Sequence, residues 1–109
     1  MDEASADYVI VSELERLLTE DDTITLIDAR TSDEFAEGHV PGAINVAISD
    51  LTEFAQSRGN ASAGLVVTMC GSTGRGEKAA AILDSQGVRN VLVLEEGLKA
   101  WRDAGLPVA

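Results

Sequence analysis

An α/β fold, with a largely parallel sheet covered by helices on both faces, is what this 109-residue sequence predicts. Three observations carry the prediction. Short apolar, β-branched runs alternate with helix-like stretches along the whole chain. The most apolar run, Leu65-Val66-Val67-Thr68-Met69, shows almost no polar alternation, as a strand buried on both faces requires. No repeat, low-complexity tract or linker interrupts the pattern, and the length suits one domain over residues 1–109.

The elements follow in order. Tyr8-Val9-Ile10-Val11 reads as a first strand, and Ser12-Glu13-Leu14-Glu15 has the spacing of a capping box that starts a helix through Leu18. Thr23-Ile24-Thr25-Leu26-Ile27 is a β-branched second strand ending at Asp28. Ser32-Asp33-Glu34-Phe35 opens a short helix that Gly38 is placed to stop. In Val40-Pro41-Gly42-Ala43 the proline and glycine occupy the second and third positions of a type II turn. Ala43-Ile44-Asn45-Val46 is a brief third strand, and Ser49-Asp50-Leu51-Thr52-Glu53-Phe54 begins a third helix. Leu65–Met69 is the fourth strand. After a glycine-rich loop comes a helix whose Ala79, Ile82 and Leu83 share one face, ended by Gly87. Val91-Leu92-Val93-Leu94 is the fifth strand, and Gly97 to Ala104 a last helix stopped by Gly105 and Pro107.

Composition narrows the function classes. There are 8 Lys+Arg against 19 Asp+Glu, a formal net charge of −11, which argues against nucleic acid because phosphate neutralisation needs surplus cations. The acidity is uneven: residues 1–34 hold 11 Asp/Glu and 2 Lys/Arg, whereas residues 71–109 hold 5 of each. An anion could therefore approach the C-terminal third despite the global charge. The single cysteine, Cys70, cannot form a disulfide within the chain, and one Cys with one His cannot make a four-ligand zinc site. The N-terminal residues lack the basic-then-apolar order of a signal peptide, and no apolar run approaches a membrane span. A reducing compartment, most simply the cytoplasm, is the expected location.

Chemistry is concentrated in one loop. Cys70 ends the most buried strand, and Gly71-Ser72-Thr73-Gly74-Arg75-Gly76 leads on to a helix. In open α/β sheets, ligands bind outside the carboxyl ends of the strands. Three glycines in six residues allow the backbone to turn its N–H groups inward as an anion-binding nest. The helix that follows adds its positive end, and Arg75 a forked cation. Each feature stabilises a thiolate over a thiol, which makes Cys70 the expected nucleophile and the loop its cradle. Most unpaired cysteines are only small buried hydrophobes, but few stand in such a loop. His39, within Gly38-His39-Val40-Pro41-Gly42, is expected to be a turn histidine bonded to backbone and not a catalytic partner. Nucleotide-loop readings fail: Glu77-Lys78 follows Gly76 where a P-loop needs Lys-Ser/Thr, and the glycine order is not that of the dinucleotide fingerprint.

At these residues the chain resembles a single-domain rhodanese, a sulfurtransferase, over nearly its whole length. Leu26-Ile27-Asp28-Ala29-Arg30, then Glu34-Phe35 and Gly38 to Asn45, resembles the family's first signature. Cys70 to Arg75 with Ala79-Ala80 is similar to its active loop and helix. Asn90 to Leu94, then Gly97, Ala100-Trp101 and Ala104 to Val108, resembles its closing signature. The resemblance implies a rhodanese-like fold with a central five-stranded, mostly parallel sheet. It implies Cys70 as the sulfur-accepting nucleophile, with Gly71, Ser72, Thr73, Gly74, Arg75 and Gly76 holding the persulfide and an anionic donor. Asp28, Arg30, His39 and Trp101 fall on signature positions with a structural reading.

The loop also departs from the common pattern. Gly71 stands where Arg or Gln is frequent, Thr73 where Gly is frequent, and Gly76 where Ser or Thr would cap the helix. Glu95-Glu96-Gly97 replaces a more usual Gly-Gly. The expected reaction is transfer of a sulfane sulfur from thiosulfate or a similar small anionic donor to cyanide, a thiol or a protein acceptor. No metal, organic cofactor, nucleic acid or membrane is called for. One alternative is a catalytically weak or inactive rhodanese-like binding or regulatory module. A cysteine phosphatase or arsenate reductase fits worse, since Arg75 follows Cys70 after four residues and those enzymes use five.

Overall fold

Every strand pair in the computed structural model, which describes residues 7–58, 64–71 and 74–109, is parallel. The elements are β1 (Asp7–Val9), α1 (Val11–Glu20), β2 (Thr25–Asp28), α2 (Ser32–Glu37), β3 (Ile44–Asn45) and α3 (Leu51–Arg58), then β4 (Val66–Met69), α4 (Arg75–Ser85), β5 (Val91–Leu94) and α5 (Gly97–Asp103). A short 3₁₀ turn, Ile48–Asp50, leads into α3. The sheet order is β1-β5-β4-β2-β3. Alternation along the strands divides the core in two. Leu26, Val67, Met69 and Leu94 pack on one face with Leu14 of α1 and Leu98 and Trp101 of α5. Ile27 and Val66 pack on the other with Leu51 and Ala55 of α3 and Ala79 and Leu83 of α4. Helices on both faces explain why all four residues of β4 are buried.

Local chemistry explains the connections. The expected turn forms at Val40–Ala43: Gly42 has φ +88° and the Ala43 N–H donates to the Val40 carbonyl at 3.0 Å. Helix α2 carries a complete capping box, with the Glu34 N–H donating to Thr31 Oγ1 (3.2 Å) and the Thr31 N–H to Glu34 Oε1 (2.9 Å). The capping box expected at Ser12 is absent. Helix α1 begins two residues earlier, with Ile10 at its N-cap and no side-chain cap, because burial of Leu14 sets where the helix starts.

A second correction concerns Gly76, which is neither a loop residue nor a cap position. It lies in the first turn of α4, buried, with Gly74 (φ +94°) at the N-cap. A Cβ on Gly76 would stand 3.3 Å from Val93 Cγ1 and 3.4 Å from Met69 Cα. The buried Thr68 hydroxyl donates to the Gly76 carbonyl at 2.8 Å. Glycine is present because α4 lies directly against β4 and β5.

Candidate active site at the carboxyl end of β4

Strand β4 sits where the connections diverge. The chain leaves β4 through α4 to reach β5 on one side, and leaves β2 through α2 to reach β3 on the other. Asp28 at the end of β2 lies in register with Met69 at the end of β4, so Cys70 stands beside this switch point. Ligands of open parallel sheets bind at that place. Cys70 is 2% exposed. Its carbonyl accepts the Leu98 N–H (2.8 Å) and the Gly71 carbonyl accepts the Lys99 N–H (2.9 Å), which ties the residue's backbone to α5. Gly97 makes that contact possible. With φ +56°, a Cβ there would fall 2.1 Å from the Cys70 carbonyl oxygen.

A cavity of about 230 Å³ opens beside Cys70, lined also by Tyr8, Gly76, Glu77, Val93, Glu95 and Glu96. Its polar wall is acidic. The Tyr8 hydroxyl donates to Glu77 Oε2 at 2.6 Å, which holds the Tyr8 phenol above its ordinary range and the Glu77 carboxyl below its own. The other oxygen, Glu77 Oε1, accepts the Gly74 N–H at 2.6 Å. That amide, expected to face an anion in the cradle, is bonded to a carboxylate of its own helix.

Arg75 is likewise engaged. Its Nη1 and Nη2 donate to Glu34 Oε1 (2.7 Å) and Oε2 (3.2 Å), a forked pair reaching across the crevice from α4 to α2. The pair stays close to the start of the loop after Cys70, since a Cβ on Gly71 would lie 3.9 Å from Arg75 Nη2. Glu34 is pushed down to about 2, first by Arg75 and then by the Thr31 N–H, while Arg75 is pushed further up, chiefly by Glu34. Of the expected cradle, then, Cys70, Gly71, Gly74, Arg75 and Gly76 cluster at one end of the sheet, whereas Ser72 and Thr73 lie outside the described residues.

The signature residues set apart as structural occupy structural positions. Asp28 and Arg30 form a buried forked pair (Arg30 Nη2 to Asp28 Oδ2, 2.8 Å), and Arg30 also donates to the Gly38 carbonyl at 2.6 Å. His39 Nδ1 stands 2.9 Å from the Phe35 carbonyl, with the two rings stacked at 3.7 Å. Trp101 is buried and donates from Nε1 to the Pro107 carbonyl at 2.7 Å.

Comparison with known proteins agrees with this architecture. The family model for the rhodanese-like domain matches residues 11–104. The chain belongs to the rhodanese-like family. It is 32% identical over 99 residues to a sulfurtransferase of Allochromatium vinosum, covering 87% of each chain. It is 35% identical over 91 residues to an HTH-type transcriptional regulator, Rv0324, of Mycobacterium tuberculosis, covering 78% of this chain and 37% of the regulator. Among solved structures, the human single-domain sulfurtransferase TSTD1 superposes with a TM-score of 0.76 at 25% identity, covering 91% of this chain and 97% of that one. The chain spans between a third and a half of the length of several of its curated relatives.

Within this rhodanese-like domain, sequence reasoning missed the carboxylates around Cys70. Thr31-Ser32-Asp33-Glu34 has readable capping-box spacing, but Glu34 meets Arg75 only through the fold, 41 residues further along the chain. Glu95-Glu96 stood out as a departure from the family pattern, and Glu96 adopts φ +60° to turn the chain into α5. No helix among the described residues is long and apolar enough to cross a membrane.

Proposed function

We propose that this protein is a sulfurtransferase that moves a sulfane sulfur from thiosulfate or a similar donor to a thiol or cyanide through a persulfide on Cys70. The observation that carries the reading is the position of Cys70: at the end of the central strand, beside the switch point, lining a cavity and directly ahead of α4. In the first half-reaction the Cys70 thiolate attacks the outer sulfur of thiosulfate. The S–S bond of the donor breaks with its electron pair on sulfite, which leaves, and Cys70 becomes a persulfide anion. In the second, the nucleophilic acceptor attacks the terminal sulfur, the persulfide bond breaks, and the thiolate is restored. With one cysteine in the chain, no internal thiol can resolve the persulfide, so ping-pong kinetics follow. Loop amides facing the sulfur, together with the N-terminal end of α4, would stabilise the persulfide charge without reorganisation. A reducing compartment such as the cytoplasm suits this thiol.

Intact-mass measurement tests the reading. The mass rises by one sulfur when thiosulfate, 3-mercaptopyruvate or a polysulfide is added, returns when cyanide follows, and does not move in Cys70→Ser. If none of the three donors loads Cys70 in the absence of reductant, the sulfurtransferase reading fails. A regulatory or binding module then takes its place, which the Glu34–Arg75 and Glu77–Gly74 contacts favour because they occupy donors that an anion would need.

A further inference from the structure

The guanidinium best placed to receive an anionic donor is already bound. Arg75 presents its fork to both oxygens of Glu34, and a carboxylate and the oxyanion face of a sulfonate-type donor compete for the same planar donor set. Glu34 is itself held in place: its Oε1 accepts the Thr31 N–H (2.9 Å) and hydroxyl (3.2 Å), so the carboxylate stays aimed at the crevice. Yet the pair is no permanent structural bridge. Its side chains are 39% and 40% exposed, and ion pairs open to solvent contribute little and can be displaced. The charged side chains that line the cavity beside Cys70 are the carboxylates of Glu77, Glu95 and Glu96. A dianion must therefore displace Glu34 and enter an acidic wall, while an uncharged donor meets neither cost.

We infer that Glu34 is a specificity-determining residue: its carboxylate occupies the fork of Arg75, so the Cys70 site favours sulfur donors of low charge over dianions such as thiosulfate. The inference rests on Cys70 accepting sulfur, but Glu34's competition for Arg75 can be measured without turnover. Glu34→Gln is the suitable variant, because glutamine serves equally as the third residue of a capping box while losing the charge that holds Arg75. Glu13→Gln, which removes one charge from the exposed pair with Arg16 on α1, controls for net charge.

Two measurements read the effect. In steady-state kinetics, Glu34→Gln lowers the KM for thiosulfate about fivefold, the factor carried by an exposed pair of this kind, with the change in KM and not in kcat. The KM for the monoanion methanethiosulfonate, which passes its outer sulfur to the Cys70 thiolate as its S–S bond breaks onto the leaving sulfinate, falls less, and Glu13→Gln shifts neither. In solution NMR, sulfate titrated against the Gly71 and Gly74 amide signals binds about fivefold more tightly to Glu34→Gln than to wild type, and the gain disappears when Arg75→Ala is added. Unchanged or weaker sulfate binding in Glu34→Gln overturns the inference, as does a rise in the thiosulfate KM, which would make Glu34 a residue that positions Arg75 for the donor. A sulfate shift in a protein that never loads sulfur overturns the sulfurtransferase reading and leaves the competition for Arg75 standing.

Discussion

At the scale of single residues, the site is governed by which carboxylate each cation and amide has found. Glu34 shows the consequence for stability. Its carboxyl is pushed down to about 2 from the ordinary 4.5, first by Arg75 and then by Thr31. A depressed folded-state value means that the unfolded chain binds the proton more readily, so the stabilisation is complete above about 4.5 and disappears as pH falls towards 2. Melting temperatures of wild type and Glu34→Gln should therefore differ at neutral pH, with wild type higher, and converge across that acid window. A gap that stays constant down to the lower end would mean that the pair with Arg75 does not hold the charge.

At the scale of elements, close approach of backbones decides the residue types. Helix α5 reaches β4 through the Cys70 and Gly71 carbonyls, and only a glycine at 97 tolerates both φ +56° and a carbonyl oxygen at 2.1 Å from any Cβ. Gly97→Ala should destabilise the protein by at least about 3 kcal/mol, combining backbone strain with displacement of α5. Chemical denaturation measures this. A loss below about 1 kcal/mol would show that α5 can dock without its contacts to Cys70. The same logic separates the readings of Gly76. As a stretch of text, Gly71 to Gly76 looks like one loop; in space Gly76 belongs to α4 and is held against Met69 and Val93. The element order and the type II turn at Pro41-Gly42 were readable because periodicity and turn chemistry are local. The start of α1 was not, because Leu14 finds its place in the core and the helix begins where that burial demands.

At the scale of the whole molecule, one buried pair ties together the β2–α2–β3 side of the switch point. Asp28 is fully buried at the end of β2, bonds Arg30, and through Arg30 fastens the Gly38 carbonyl after α2. Asn45 of β3 donates to the carbonyls of both Asp28 and Arg30, so the end of β2, the α2 exit and β3 share one network. Asp28→Ala leaves the Arg30 charge buried without its counter-ion and should cost about 3–5 kcal/mol. Urea titration checks the value, and the double variant with Arg30→Met should recover part of the loss. No recovery in the double variant would mean that the backbone contacts, and not the stranded charge, dominate.

Much was determined by sequence alone: the alternation of strands and helices, the five-stranded, mostly parallel sheet, the place of Cys70 at the end of the most buried strand, and the family signatures around it. Those features depend on local periodicity, on turn chemistry and on residues adjacent in the chain. The charge around Cys70 was decided only by tertiary structure. The C-terminal third is neutral as text, with 5 Lys/Arg and 5 Asp/Glu in residues 71–109, so that an anion could approach there despite the global charge. Folding brings Glu34 from α2 onto Arg75, turns Glu77 back onto the Gly74 amide, and sets Glu95 and Glu96 at the cavity wall. Electrostatic interactions fall off with distance in space and are indifferent to separation along the chain. Where charges meet is therefore a property of the fold.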